Sequence, residues 1–192
     1  MRYRFAFGAL ALSMALAGCD QLNLTNPDAA DAPAPAAAAP VVDLVAQTAA
    51  RGTPIYRGGL DGLVIPPALT ASLTPAGNHL VLSGVLDGPV SGGRTGGASF
   101  PVPEAVEMAA SGNLVRIHVV VSSEADGVAF LAYSTNEVGN SGWMSFPVSR
   151  EEKVTTLEYD VSAMNLGNGD FIGIDPNGHT LTVKLIAVEV AG

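Results

Sequence analysis

The stretch "NLVRIHVVVSS", Asn113 to Ser123, alternates its side chains between two faces with a period of two. One face carries only branched apolar residues: Val115, Ile117, Val119 and Val121. This spacing is typical of a β-strand with at least one buried face. The only cysteine in the chain is Cys19, so no intrachain disulfide supports the fold. The stretch therefore predicts a sheet protein that is held together by its core.

Segments with the same period surround this stretch. The other predicted strands are "NHLVLSGVL", "GASFPVP", "GVAFLAYS", "VTTLEYDV", "GDFIGID" and "HTLTVKLIAVEV". In the last strand we expect Leu181, Val183, Leu185 and Ala187 to share the buried face. "DPNGH", Asp175 to His179, predicts a turn before it. About seven to nine short strands without a convincing helix predict an all-β fold, a β-sandwich or jelly roll.

The first twenty residues, "MRYRFAFGALALSMALAGCD", have the pattern of a secretory signal over residues 1–18. The uncharged run is shorter than the roughly 20 residues of a permanent membrane span. "LAGC", which ends at Cys19, resembles the lipobox of bacterial lipoproteins. The resemblance implies diacylglycerol on the Cys19 thiol and a fatty acyl chain such as palmitate on the new amino terminus. The alternative is an ordinary cleaved signal with an incidental cysteine.

Several acyl chains anchor a protein stably in a bilayer, whereas one chain holds it only marginally. We therefore expect a cell-envelope protein that is attached to a bacterial membrane by its N-terminal lipid and faces the periplasm. Asp20 resembles the inner-membrane retention signal of enteric lipoproteins, which favours the inner membrane.

Residues 19–52 are dominated by Ala, Pro and Asp and contain no aromatic side chain. Such a composition does not bury enough apolar surface to order the chain, so we expect a flexible, disordered tether. Within it, residues 41–50 fit either a short helix or an edge strand. The composition then changes to Val, Leu, Ile, Thr and Gly, and we expect one domain over residues 53–192.

The charge of the chain argues against nucleic acid as a partner. Cleavage before Cys19 would remove Arg2 and Arg4 and leave seven basic against eighteen acidic residues, a formal charge of −11. Binding to phosphates requires a basic patch.

The loop "YSTNEVGNSGW", Tyr133 to Trp143, contains the only tryptophan. Aromatic rings stack on the apolar face of a sugar, and amides bind its hydroxyl groups. Tyr133, Asn136, Asn140 and Trp143 are therefore the candidate ligand-binding residues. The alternatives are that Trp143 belongs to the core and that the Asn side chains hydrogen-bond to their own loop.

The order of segments from "GASFPVP" to "LTVKLIAVEV" resembles the galactose-binding-like jelly rolls, which include many carbohydrate-binding modules. The resemblance implies a non-catalytic sandwich with saccharide recognition and, in some members, a structural calcium. Asp126, Asp170 and Asp175 carry suitable oxygen atoms, but they have no recognisable calcium spacing and are more typical of turns. We predict neither a metal site nor a cofactor.

No catalytic motif stands out. "GNSGW" departs from G-x-S-x-G, and "GGRTGG" lacks the Lys of a phosphate loop. His79, His118 and His179 lie far apart in the sequence, and we expect the last two at the surface. The sequence therefore predicts a non-enzymatic envelope lipoprotein that binds a carbohydrate. The alternative is a structural or protein-interaction lipoprotein without a small-molecule ligand.

Overall fold

A computed structural model describes residues 42–86, 96–135, 138–164 and 169–191. The chain divides into two units, residues 1–40 and 41–192, and all of the described residues belong to the second unit. The signal segment, Cys19, residues 19–41 of the tether and Asn136 lie outside the described residues. The predictions for these parts of the chain stay predictions.

The described chain forms eleven strands and two short helices. The helices are α1 (Leu44–Ala49) and α2 (Glu104–Ala110). The strands are β1 (Thr53–Tyr56), β2 (Leu69–Leu73), β3 (Leu80–Gly84), β4 (Ala98–Pro101), β5 (Leu114–Ser123), β6 (Gly127–Thr135), β7 (Gly139–Asn140), β8 (Met144–Val148), β9 (Lys153–Asp160), β10 (Phe171–Asp175) and β11 (Leu181–Ala191).

The strands pair into two antiparallel sheets. Sheet A has the order β2-β3-β11-β5-β9, and β1 also pairs with β11. Sheet B has the order β4-β10-β6-β7, and β8 also pairs with β6. Leaving aside β1, β2 and β7, the orders are β3-β11-β5-β9 and β4-β10-β6-β8, with successive strands mostly alternating between the sheets. This is the eight-stranded jelly roll, so the predicted fold class is confirmed.

The core lies between the two sheets, as the alternation in β5 predicts. Val115, Ile117, Val119 and Val121 are at most 1% exposed and pack in one cluster with Phe100 and Leu131 of sheet B. The turn at Asp175 to His179 is also confirmed, because His179 N donates to Pro176 O. Asp175 Oδ1 accepts from Asn177 N at 2.9 Å within the same turn.

The predicted faces of β11 are wrong in its second half. The register with β5 shifts between Val183 and Leu185, which is a β-bulge. The extra residue reverses the alternation. Leu185 and Ala187 therefore lie on the outer face of sheet A, while Ile186 joins the core cluster.

Helix α1 covers this outer face, so of the two alternatives for residues 41–50, a short helix or an edge strand, the structure has the helix. Asp43 caps it, because Asp43 Oδ1 accepts from Ala46 N at 3.0 Å. Leu44, Val45 and Ala49 pack against a second cluster formed by Val120, Leu185 and Ala187. The folded domain therefore begins before the expected boundary at residue 53. No helix in the described ranges is both long and apolar enough to span a bilayer.

Candidate functional site

The structure places Tyr133 in the core rather than in a ligand-facing loop. Its side chain is 0% exposed, because Tyr133 shares the inner face of β6 with Ala129 and Leu131. The hydroxyl donates to Asp170 Oδ2 at 2.7 Å. Burial and the nearby Asp170 carboxylate raise the pKa of Tyr133. The expectation that a ligand stacks on Tyr133 fails for this physical reason.

The loop after β6 uses most of its polar groups on itself. Thr135 Oγ1 donates to Gly139 O at 2.8 Å, and Ser141 Oγ accepts from Tyr133 N at 2.9 Å. Asn140 is exposed, and its Oδ1 accepts from Gly142 N at 2.9 Å. Gly142 has a φ of 67°, which favours glycine at this turn. The alternative expectation was that the Asn side chains hydrogen-bond to their own loop. The Oδ1 atom of Asn140 does so.

Trp143 is half-buried on the outer face of sheet B. It directly precedes Met144, which packs against the core, so alternation directs Trp143 outward. A Cβ atom on Gly97 would lie 2.8 Å from Cη2 of the indole. Gly97 precedes β4 and Trp143 precedes β8, and these strands flank β10 and β6 in sheet B. The indole therefore lies across the outer face of the sheet.

Small residues make room for the indole on this face. Gly173 pairs with Ser99 on one side and with Ala132 on the other, so the three form one row across β4, β10 and β6. Ser99 and Ala132 are at most 2% exposed, although they point away from the core. The row forms a trough of small residues on the outer face that also bears Trp143, and Trp143 is partly exposed there.

Two further aromatic residues lie on the same outer face, and neither was among the residues predicted from the sequence. Phe130 and Phe171 are half-buried. They alternate with the core residues Leu131 and Ile172, which fixes their outward direction. The signal was present in the parity of β6 and β10. It was hidden because both strands are apolar on their two faces.

We call the outer face of sheet B that bears Phe130, Trp143 and Phe171 the aromatic face. Polar residues lie beside it. Asn140 and Ser145 are exposed, and Asp175 is half-buried. The five strands of sheet B, as the structure describes them, contain no Lys or Arg. The aromatic face is therefore neutral to acidic and suits an uncharged ligand with hydroxyl groups better than an anionic one.

Asp170 is a core residue and not the loop oxygen donor that a calcium site would use. It is 1% exposed, and its backbone N–H donates to Glu107 Oε1 at 2.6 Å. Glu107 belongs to α2 and is 2% exposed, so this bond ties α2 to the start of β10. Across the described ranges, no three His, Cys, Asp or Glu side chains form a group that could hold a metal ion.

A second polar cluster crosses the outer face of sheet A. His118 Nδ1 lies 2.8 Å from Thr156 Oγ1, and its Nε2 lies 3.1 Å from Glu189 Oε2. Arg116 binds Glu158 at 2.8 Å and Glu189 at 3.0 Å. The expectation of a surface His118 is wrong, because the residue is 3% exposed. The hydrogen bond from His118, followed by that from Arg116, lowers the pKa of Glu189.

The order Thr156, His118, Glu189 superficially matches a nucleophile, a base and an orienting carboxylate. His118 and Thr156 are paired residues in the middle of β5 and β9, and Glu189 belongs to β11. The cluster therefore links β9, β5 and β11 across the outer face of sheet A.

A groove of about 490 Å³ lies between α2, the turn after α1 and β11. Ala105, Val106 and Ala109 form one wall, and Arg51 and Glu189 supply charge. Its lining includes neither His118 nor Thr156. It lies apart from the aromatic face, because β11 belongs to sheet A.

No family model and no curated protein matches this sequence. Among solved structures, the chain is similar to several carbohydrate-binding modules. BiXyn10A CBM1, in its apo form, is 12% identical with a TM-score of 0.49, over 71% of this chain and 94% of that chain. The CBM22-1 xylan-binding domain of Paenibacillus barcinonensis Xyn10C is 10% identical with a TM-score of 0.46, over 72% and 95%.

A module of Cellvibrio mixtus lichenase 5A, solved with cellotriose, is 12% identical with a TM-score of 0.44, over 73% of this chain and 100% of that chain. These identities and TM-scores are low. The jelly roll is therefore identified from the strand order of this chain. Xylan and cellotriose are ligands of the neighbouring proteins.

Proposed function

We propose that this chain is a non-catalytic, carbohydrate-binding lipoprotein of the bacterial cell envelope. Binding takes place on the aromatic face. The observation that carries the proposal is the presence of three partly exposed aromatic residues, Phe130, Trp143 and Phe171, on one outer face of a jelly roll.

The chemistry of this face supports a sugar as the ligand. The apolar side of a sugar ring packs on an aromatic ring, while its hydroxyl groups need donors and acceptors around the rim. Asn140 and Ser145 supply both, and the five described strands of sheet B contain no basic residue to attract an anionic group.

The spacing of the aromatic residues supports an oligosaccharide rather than a single sugar. Phe171 pairs with Ser134, which lies four residues along β6 from Phe130. At about 3.4 Å per residue, the two phenyl groups attach more than about 13 Å apart. A ligand that contacts both must be longer than one sugar ring.

Calorimetric titration of the purified chain with neutral oligosaccharides, such as xylohexaose and cellotriose, tests the proposal. We expect binding by the wild type and a loss of at least about tenfold for Trp143→Ala, since stacking residues dominate such interfaces. Trp143→Phe should retain part of the affinity. Met108→Ala, an exposed position on α2, serves as the control and should bind normally.

A wild-type chain that binds no neutral glycan would contradict the proposed function. Binding that is identical in the wild type and Trp143→Ala would contradict the proposed site. Circular dichroism of each variant separates a lost contact from a lost fold.

The envelope location is part of the proposal and rests on the sequence. "LAGC" ending at Cys19, the preceding uncharged run and Arg2 and Arg4 support lipidation and export. We propose that the anchored domain faces the periplasm, and Asp20 favours the inner membrane. The partners would be the membrane and an envelope glycan.

The second candidate function is a structural or protein-interaction role without a small-molecule ligand. The groove beside α2 favours it, because apolar Ala105, Val106 and Ala109 line an open concave surface. Cross-linking in intact cells from a photoreactive residue at position 109 would give a discrete protein adduct under this alternative. Under the carbohydrate proposal, adducts would form from position 145 instead, to polysaccharide.

A further inference from the structure

A row of three different side chains crosses one end of the aromatic face. In the strand register, Ser134 of β6 lies opposite Phe171 of β10 on one side and opposite Asn140 of β7 on the other. Paired residues share one face and have Cβ atoms about 4.5–5.5 Å apart. An aromatic ring, a hydroxyl group and an amide therefore lie side by side on the face of sheet B where we propose that glycan binds.

The hydroxyl group of Ser134 is an exception to the hydrogen bonding around it. Ser134 is 1% exposed, and its Oγ has no hydrogen-bond partner among the described residues. Buried hydroxyl groups normally have a partner. The neighbouring hydroxyl groups of Thr135 and Ser141 are both hydrogen-bonded within the loop. The hydroxyl groups of Thr135 and Ser141 therefore have hydrogen-bond partners within the loop, whereas the hydroxyl group of Ser134 has none among the described residues.

The amide of Asn140 is oriented next to this hydroxyl. Asn140 Oδ1 accepts from Gly142 N at 2.9 Å, which fixes the oxygen toward the loop. The Nδ2 group then faces away from Gly142, and the side chain is exposed. An amide with a fixed oxygen presents two oriented N–H donors at low entropic cost.

We propose that Phe171, Ser134 and Asn140 form a subsite for one uncharged sugar ring within the longer glycan. The apolar side of the ring packs on Phe171. One hydroxyl group bonds to Ser134 Oγ, and a neighbouring hydroxyl accepts from Asn140 Nδ2. This inference rests on the proposed carbohydrate function. It adds the two residues, Ser134 and Asn140, that hydrogen-bond to the hydroxyl groups of the sugar.

The ligand reaches Ser134 between its two register partners. Because Ser134 is almost fully covered, a neighbouring side chain must rotate when the sugar enters. Rotamer changes of this size are common on binding. A uronic acid or phosphorylated sugar should bind poorly, because the described strands of sheet B offer no cation to neutralise it.

Ser134→Ala tests the subsite because stability and affinity should change in different directions. Removing an unpartnered buried hydroxyl group should leave the melting temperature unchanged or raise it. The affinity for xylohexaose, titrated into the whole chain in detergent, should fall at least about tenfold.

Ser123→Ala is the matched control. Ser123 is also a buried serine, but it belongs to β5 of sheet A, and its Oγ already accepts from Ala125 N at 3.4 Å. We expect its melting temperature to fall and its affinity for xylohexaose to remain within twofold of the wild type.

The outcomes separate the two proposals. Wild-type binding with an unchanged affinity of Ser134→Ala would overturn the subsite and leave the carbohydrate function in place. Absence of wild-type binding to every neutral oligosaccharide would overturn the function, and the subsite with it. Tighter binding of a glucuronic-acid-containing oligosaccharide than of its neutral analogue would overturn the uncharged class.

Discussion

At the scale of single residues, Tyr133 and Trp143 show why an aromatic pair at the ends of a loop is ambiguous in sequence. They bound the same polar segment, but Tyr133 lies on the inner face of β6 and Trp143 on the outer face of sheet B. The alternation of side chains along each strand decides which of the two rings points into the core. The length of the intervening loop does not predict this direction.

Tyr133→Phe should destabilise the domain. The substitution removes the hydroxyl group that donates to Asp170 Oδ2 inside the core. Loss of one partner from a buried hydrogen bond to a carboxylate costs about 1–3 kcal/mol. Urea unfolding followed by circular dichroism measures the difference. A loss below roughly 0.5 kcal/mol, the range of ordinary surface substitutions, would show that this bond is not a structural one.

Glu189 should make the domain sensitive to acid. Its pKa is lowered by His118 first and Arg116 second, so the folded chain holds the carboxylate charged where the unfolded chain takes up a proton. The stabilisation is present above the ordinary pKa of Glu, about 4.3, and is lost as the pH falls through the lower pKa of the folded state.

Unfolding at a series of pH values compares the wild type with Glu189→Gln. The wild type should lose stability more steeply below about pH 4.3 than the variant. Parallel pH profiles would contradict a role for the Glu189 carboxylate in this loss.

At the scale of elements, much of the sandwich is readable from alternation and some of it is not. The strands β3 to β6 and β9 to β11 each overlap a segment whose apolar pattern predicts a strand, and β6, β9 and β11 extend one residue beyond it. The bulge in β11 escaped detection because "TVKLIAV" contains apolar residues in both parities, so a shift in register leaves no trace. Helix α1 is the first of the two alternatives for residues 41–50, and six residues carry too little periodicity to separate a short helix from an edge strand.

The candidate site was predictable only in part, for the same reason. Of the candidate ligand-binding residues, Asn140 and Trp143 lie on or beside the aromatic face, and their role in binding stays a prediction. Phe130 and Phe171 were missed, because "GVAFLAYS" and "GDFIGID" do not reveal which apolar face is covered by the opposite sheet. Asn136 lies outside the described residues.

Removal of α1 should destabilise the domain, whereas removal of the tether before it should not. A chain that begins at residue 41 keeps Leu44, Val45 and Ala49 on the outer face of sheet A. A chain that begins at residue 51 exposes Leu185 and Val120, so its melting temperature should be lower by several degrees. Equal melting temperatures for the two chains would mean that α1 contributes no packing. Gln47→Ala, at an exposed position of α1, is the control.

At the scale of the whole molecule, the two outer faces of the sandwich differ in what covers them. Helix α1 packs on the outer face of sheet A, and the aromatic face is the outer face of sheet B. Helix α1 therefore covers a different face from the one that we propose binds glycan.

Cys19→Ser should release the protein from membranes. The lipid can form only on the cysteine thiol, and Cys19 is the only cysteine. Fractionation of cells followed by immunoblotting should show the wild type in the membrane pellet and the variant outside it. Persistence of Cys19→Ser in the pellet after washing with salt would contradict lipid anchoring. Arg57→Ser, within the domain, is a control that should remain in the pellet.

The most direct test of a carbohydrate-binding aromatic face is a nuclear magnetic resonance titration of the isotope-labelled chain with xylohexaose. Binding as proposed should shift the backbone amide signals of Ala132, Ser134 and Gly173 in sheet B. It should leave those of Val120 and Leu185 under α1 unchanged. Shifts confined to sheet A, or no shift at any concentration of neutral oligosaccharide, would contradict the account.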